Sequence, residues 1–244
     1  MKVKILIANW KMNKNLKDGL VLANAINKKI TNTKSKKFII LPSIHSVNYI
    51  KQNIKKSILI GAQDCSPFLK GAYTGDVSAK MIKSIGCKFT LIGHSERRIY
   101  NNETNKLLLE KVCRANEAGL KIIFCVGETI EDFKKNNSLK VLKKQLTGIF
   151  GTNYNFNNLI IAYEPVWAIG TNKTPQIADI KKTHDFIKLF FKKNYKFSDI
   201  PVLYGGSVNS QNSKEIFSLE CVNGGLVGGA SLIAREFIKI YDTL

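Results

Sequence analysis

The chain reads as α/β, a single closed (β/α)8 barrel of eight parallel strands with an outer ring of helices spanning residues 1–244, and three observations predict this. Eight short runs rich in aliphatic and β-branched residues recur along its length, helical patterns alternate with them, and no Pro/Gly/Ser-rich stretch marks a domain boundary. The runs are continuously apolar, as expected of parallel strands covered on both faces. Eight strand–helix units in about 250 residues suit a closed barrel. The competing architecture, a doubly wound open sheet, usually carries G-x-G-x-x-G after its first strand; here that strand runs into NWKMN.

In chain order the expected strands are KILIAN (Lys4 to Asn9), KFIILP (Lys37 to Pro42), SILIGAQ (Ser57 to Gln63) and FTLIG (Phe89 to Gly93). They continue with KIIFCVG (Lys121 to Gly127), NLIIAYE (Asn158 to Glu164), PVLYGG (Pro201 to Gly206) and GGLVGG (Gly224 to Gly229). Apolar residues spaced by three and four mark amphipathic helices between them: Leu108, Val112 and Ala115, stopped by Gly119; Leu139, Leu142, Leu146 and Ile149; Ile177, Ile180, Ile187 and Phe191. The connection DCSPFLKGAYTGDV (Asp64 to Val77) is long for a strand–helix loop and carries Phe68, Leu69 and Tyr73, so it is expected to pack against a partner subunit.

A hydrophobic content of 44% excludes a disordered chain. No apolar run reaches the 18 or so residues of a membrane span, and the run from Ile5 to Ala8 is too short for a signal peptide, so a cytoplasmic protein without a membrane partner is expected. Five widely spaced cysteines without a C-x-x-C pair point to reduced thiols, with neither a disulfide framework nor a metal site. The formal charge of +20 raises the question of nucleic acid or an anionic substrate. The lysines are scattered in short pairs with no basic tail or aromatic-interleaved block, so a solvated surface is the expectation and nucleic-acid binding is not.

In a barrel the C-terminal strand ends form the active face. Asn9 and Lys11 follow the first strand, His94 and Ser95 the fourth, Glu164 ends the sixth, and glycine turns follow the seventh (Gly205, Gly206, Ser207) and eighth (Gly228, Gly229). A carboxylate, an imidazole, an ammonium and an amide thus share a rim with two glycine turns able to meet an oxyanion, the second leading into a helix at Ala230. His184, in the stripe Ile180, His184, Ile187, and His45 are read as structural.

NWKMN (Asn9 to Asn13), GAQ (Gly61 to Gln63), GAYTGDVSA (Gly71 to Ala79), IGHSERR (Ile92 to Arg98), CVGE (Cys125 to Glu128), AYEPVWAIGT (Ala162 to Thr171), YGGSV (Tyr204 to Val208) and LVGGASL (Leu226 to Leu232) together resemble the triosephosphate isomerase family, in its order and spacing. The resemblance spans the chain. It implies an isomerase, an intramolecular oxidoreductase, that interconverts dihydroxyacetone phosphate and D-glyceraldehyde 3-phosphate through an enediolate in glycolysis and gluconeogenesis. By the same resemblance Glu164 is the base, His94 the electrophile, kept neutral by the helix starting near Ser95, and Asn9 supports the same oxygen. Lys11 supplies positive charge and is held by Glu96. Gly170, Ser207 and Gly229 offer N–H groups to the substrate phosphate, with Gly206 and Gly228 permitting close approach. No metal or organic cofactor is implied.

The resemblance also makes Pro165, Val166 and Trp167 a stiff hinge, and Ala168, Ile169 and Gly170 the tip of a lid that runs on through Thr171 to a far hinge at Lys173, Thr174 and Pro175. It implies that Glu128 pairs with Trp167 when the lid is open. It further implies a homodimer through the loop Asp64 to Val77, with Tyr73, Thr74, Gly75 and Arg97 at the interface, Thr74 touching Asn9 and His94 across it, and Arg97 and Arg98 fixing the loop bases.

Two departures stand out. By the resemblance, much of the family has Ala where Pro175 stands, with an N–H that bonds the Tyr204 hydroxyl; proline has none, so a different latch is expected, with Ser207 bonding the Asn172 backbone. Asn223 stands where the family often has Asp, before the glycines of the eighth strand. Two other readings compete: a different phosphate-binding barrel, such as a phosphosugar epimerase or synthase, which has no reason to carry IGHSERR with AYEPVWAIGT, and a basic binding protein supported by charge alone.

Overall fold

The structure is a computed structural model that describes residues 3–54, 58–150, 154–171 and 173–244; Ser57 of the third expected strand and Asn172 of the lid lie outside them. Its first half runs β1 (Lys4–Asn9), α1 (Leu16–Lys29), β2 (Lys36–Leu41), α2 (Ile44–Asn53), β3 (Leu59–Ala62), α3 (Ala79–Ser84), β4 (Phe89–Ile92), α4 (Ser95–Tyr100) and α5 (Asn105–Glu117). The second half runs β5 (Lys121–Val126), α6 (Ile130–Lys134), α7 (Ser138–Leu146), β6 (Leu159–Tyr163), α8 (Ile177–Tyr195), β7 (Val202–Tyr204), α9 (Ser213–Ser218), β8 (Gly224–Val227) and α10 (Ala234–Asp242).

The strands pair in chain order, all parallel, and β8 returns to β1 with Ile5 opposite Gly224, so the sheet closes. Closure leaves no sheet edge exposed and gives each strand two faces to bury. Along β1, Ile5 and Ile7 point into the barrel, where they meet Leu41, Leu91, Ile123 and Leu203. Leu6 and Ala8 point outward against the helices, in a layer with Phe38, Ile50, Phe191 and Phe237. That division of one apolar run between two cores is why the strands lack alternation in sequence.

Side-chain caps set several helix starts. Thr104 accepts the Leu107 N–H at 3.3 Å ahead of α5, and Asn15, Ser78 and Thr129 do the same for α1, α3 and α6. Gly119, at φ +68°, reverses the chain after α5, as expected. Ile149 is buried but lies beyond α7, which ends at Leu146. The helix expected at Ala230 is instead a 3-10 turn, Gly229–Leu232, with α10 starting only at Ala234. Four cysteines are buried and all five are free; burial pushes the Cys87 thiol up to about 11 and Cys65 up to about 12, so these thiols are unreactive.

Candidate active site

The strand ends bring Asn9, Lys11, His94, Glu164, Gly170, Ser207, Gly228 and Gly229 around one cavity of about 170 Å³. Glu164 follows β6 and is almost fully buried. Its backbone N–H donates to the Val126 carbonyl at 2.7 Å, and its Oε2 accepts the Ser95 N–H at 3.2 Å. Two neighbouring glycines leave room for it. A Cβ on Gly127 would stand 1.7 Å from the Glu164 carbonyl oxygen, and one on Gly205 would stand 2.8 Å from its Cγ.

His94 caps α4, with Nδ1 accepting the Glu96 N–H at 3.2 Å. An imidazole that accepts on Nδ1 carries its proton on Nε2 and is neutral, and this Nε2 lies 3.2 Å from Glu164 Oε1. The site therefore sets a neutral N–H donor beside a buried carboxylate. A carboxylate can take a proton from carbon while such a donor polarises the oxygen next to it.

Lys11 sits in the left-handed region at φ +52°, which costs a side-chain-bearing residue energy and persists only where neighbours enforce it. Its carbonyl accepts from Ser43 Oγ at 2.8 Å and Gln63 Nε2 at 2.9 Å, while its N–H donates to Asn9 Oδ1 at 3.1 Å. Its ammonium reaches Glu96 Oε1 at 2.5 Å, so Glu96 does hold it. Ser43 and Gln63 were not recognised from sequence; Gln63 lay within the GAQ stretch without a role, and Ser43 had no signal. Gly127 and Gly205 were likewise visible only as turn residues.

The lid runs from Pro165, and its first half forms a 3-10 turn, Val166–Ala168. Glu128, fully buried, accepts Trp167 Nε1 at 3.2 Å and the Tyr163 hydroxyl at 3.1 Å; burial pushes its carboxyl above the usual range. This is the pair expected of an open lid; Ile169, half-buried, and Gly170, exposed, line the cavity beside it.

The residues of the glycine turns lie in three different environments. Ser207 donates both its N–H, at 3.0 Å, and its Oγ, at 2.7 Å, to the Ala168 carbonyl, so its N–H faces the lid rather than an open anion site. The space at Gly206 is taken by the Tyr204 hydroxyl, which a Cβ there would meet at 2.2 Å. At Gly229 nothing would lie within 4 Å of a Cβ, so that turn is open to the cavity. The expected Ser207 to Asn172 latch falls outside the described residues.

Elsewhere, Thr74 stands among exposed residues at the tip of the loop from Asp64 to Val77, between Tyr73, whose ring stacks on Phe68 at 3.6 Å, and Gly75. Arg97 braces the loop base through Asp64 at 2.9 Å and Glu103 at 2.6 Å. Arg98 instead ties the ends of β4 and β5, donating to the carbonyls of Gly93 and Cys125. His45 is exposed on α2 and His184 is buried in α8, neither lining the cavity. Asn223 Oδ1 accepts Lys188 Nζ at 2.8 Å and the Val202 N–H at 3.1 Å, so a neutral amide does the accepting there.

A family model described as triosephosphate isomerase matches residues 4–244. A triosephosphate isomerase of Phocaeicola vulgatus is 40% identical over 248 residues, covering 99% of each chain, and one of Hahella chejuensis is 39% identical over 99% of this chain and 98% of its own. The crystal structure of triosephosphate isomerase from Bartonella henselae superposes with a TM-score of 0.91 at 37% identity over 98% of both chains.

Proposed function

The chain belongs to the triosephosphate isomerase family, and from that premise we propose how its residues carry the reaction. The enzyme interconverts dihydroxyacetone phosphate and D-glyceraldehyde 3-phosphate through an enediolate, a step of glycolysis and gluconeogenesis. In our reading Glu164 takes a proton from the carbon beside the carbonyl and returns it to the neighbouring carbon. His94 Nε2–H polarises the carbonyl oxygen, Asn9 supports it, and the Lys11 ammonium offsets the charge of the enediolate and the phosphate. Glu96 keeps Lys11 aimed. The open glycine turn at Gly228 and Gly229, with the Gly170 N–H from the lid, receives the phosphate; Ser207 joins only by giving up its bond to Ala168.

The observation that carries this reading is the buried Glu164 carboxylate 3.2 Å from His94 Nε2, in the cavity that Lys11 also lines. Neither a structural histidine nor a solvated lysine needs that arrangement. In our reading the lid completes it: Ile169, which lines the cavity, closes over bound substrate and excludes water, which strengthens the electrostatics and protects an enediolate that would otherwise expel its phosphate. The test is conversion of glyceraldehyde 3-phosphate by the purified protein in a coupled assay, with Glu164→Gln as control. Fast turnover lost by orders of magnitude in the variant supports the assignment; equal turnover in both refutes it.

We further propose a homodimer acting from the cytoplasm, each chain one catalytic domain. Support for the dimer lies in the exposed loop tip beside Phe68, Leu69 and Tyr73, and in a groove of about 560 Å³ flanked by the fully exposed Met12 and by Gln63, Asp64 and Arg97. A second chain's loop tip would fill that groove and bury these apolar side chains. Five free thiols suit a reducing compartment.

A further inference from the structure

The lid is tied at its tip by Ser207, which bonds the Ala168 carbonyl, but its far hinge ends in Pro175 and has no backbone N–H to offer there. The Tyr204 hydroxyl, the group such an N–H would reach, is buried and has no hydrogen-bond partner among the described residues. Something else must hold the far hinge for the lid to cover the cavity.

We infer that Asn212 is a positioning residue that latches the far hinge of the lid, through Thr174, to the turn after β7. Its Nδ2 donates to the Ser207 carbonyl at 3.0 Å and reaches Thr174 Oγ1 at 3.4 Å. The amide cannot be turned the other way round, because its Oδ1 accepts the Asn209 N–H at 2.9 Å. Asn209 Oδ1 in turn accepts the Asn212 N–H at 3.0 Å and the Gln211 N–H at 2.9 Å, so the whole turn is braced.

Pro175 contributes to this latch even as it removes the other. The residue before a proline is confined to extended backbone, so Thr174 presents its hydroxyl from a restricted position. The latch has moved one residue upstream, from a backbone N–H to a side-chain hydroxyl. The lid tip and its far hinge then converge on Ser207: the tip on its Oγ and N–H, the far hinge through Asn212 on its carbonyl. Loss of Asn212 would loosen both ties of the cover while leaving Glu164, His94 and Lys11 in place.

The inference rests on the lid reading above, and the test separates the two. With the purified full-length protein, isomerisation is followed alongside inorganic phosphate release, which measures enediolate escaping cover: its electron pair breaks the C3–O bond, phosphate leaves, and the remaining enol becomes a 2-oxoaldehyde. Thr174→Val and Asn212→Ala should each raise KM and the phosphate released per isomerisation about 3- to 10-fold, the effect of one neutral hydrogen bond. The double variant should be no worse than Asn212→Ala alone, and Thr174→Ser should behave as wild type. Pro175→Ala, which restores an N–H for Tyr204, should rescue Asn212→Ala. Thr174→Val sits at an exposed position and tests the latch even if Asn212→Ala folds poorly. A silent Thr174→Val, or effects that add, overturns the latch; a wild type that does not isomerise overturns the function instead.

Discussion

Replacing Gly205 with Ala moves the Glu164 carboxylate, the base in our reading, without touching it chemically. The added methyl would stand 2.8 Å from Glu164 Cγ and 3.2 Å from the Tyr163 carbonyl oxygen. Ordinary contact needs a separation nearer 3.5 Å or more, so the side chain must retreat by something approaching 1 Å, because the strand carbonyl cannot. A misplacement of that size costs a reacting group about 100-fold, equivalent to about 2.7 kcal/mol on the barrier. Overpacking a buried site adds about 1–3 kcal/mol of lost stability. The expected result is kcat down about 100-fold with KM little changed, and a lower Tm without loss of the fold. In a Glu164→Gln background, where the base is already gone, the same substitution should add almost nothing. A folded Gly205→Ala enzyme with kcat within 3-fold of wild type, or the same 100-fold loss on top of Glu164→Gln, would refute the argument that this glycine exists to place the base.

Glu96→Gln should leave Tm nearly unchanged, because a pair this exposed contributes about 1 kcal/mol or less, yet lower kcat/KM about 10-fold as Lys11 loses its tether; steady-state kinetics and melting on the same sample check both. His184 is held neutral by burial, its proton affinity pushed down to about 3. A base so depressed contributes stability above about pH 6.5 that is lost as pH falls toward 3. His184→Phe should therefore lose about 3 kcal/mol less between pH 7 and pH 4 than wild type, at 1.36 kcal/mol per pH step, in urea unfolding; parallel pH curves would refute the assignment. Thr74→Arg puts an unpaired charge into the proposed dimer contact and should weaken it about 100-fold or more, with activity falling on dilution. A fully active monomer by sedimentation would remove the dimer.

Barrel, helices and the four polar side chains of the rim were legible in sequence because each rests on local patterning. Continuous apolar runs marked the strands, and placing Asn9, Lys11, His94 and Glu164 just after them put all four on one rim. Helix ends were legible where a chemical signal stood, as at Gly119, and not where one was missing: Ile149 continued the apolar spacing of α7, but the helix stops at Leu146 and the residue is buried from the following segment. The glycine turn after β8 likewise predicts a helix from Ala230, where the chain makes a 3-10 turn, Gly229–Leu232, before α10 begins at Ala234.

What the tertiary structure alone decided is who supports whom. Gln63 and Ser43 hold the strained Lys11 carbonyl from two other loops, Gly127 and Gly205 are empty because Glu164 fills the space, and Lys188 meets Asn223 from a helix 35 residues away. None of these pairings leaves a periodicity or a spacing in the chain. The sequence by itself determined the fold and the chemical groups at its rim, because burial patterns and strand ends are local; the closing of eight strands into a barrel decided their distances, protonation and cover, because those depend on residues that only the closed sheet makes neighbours.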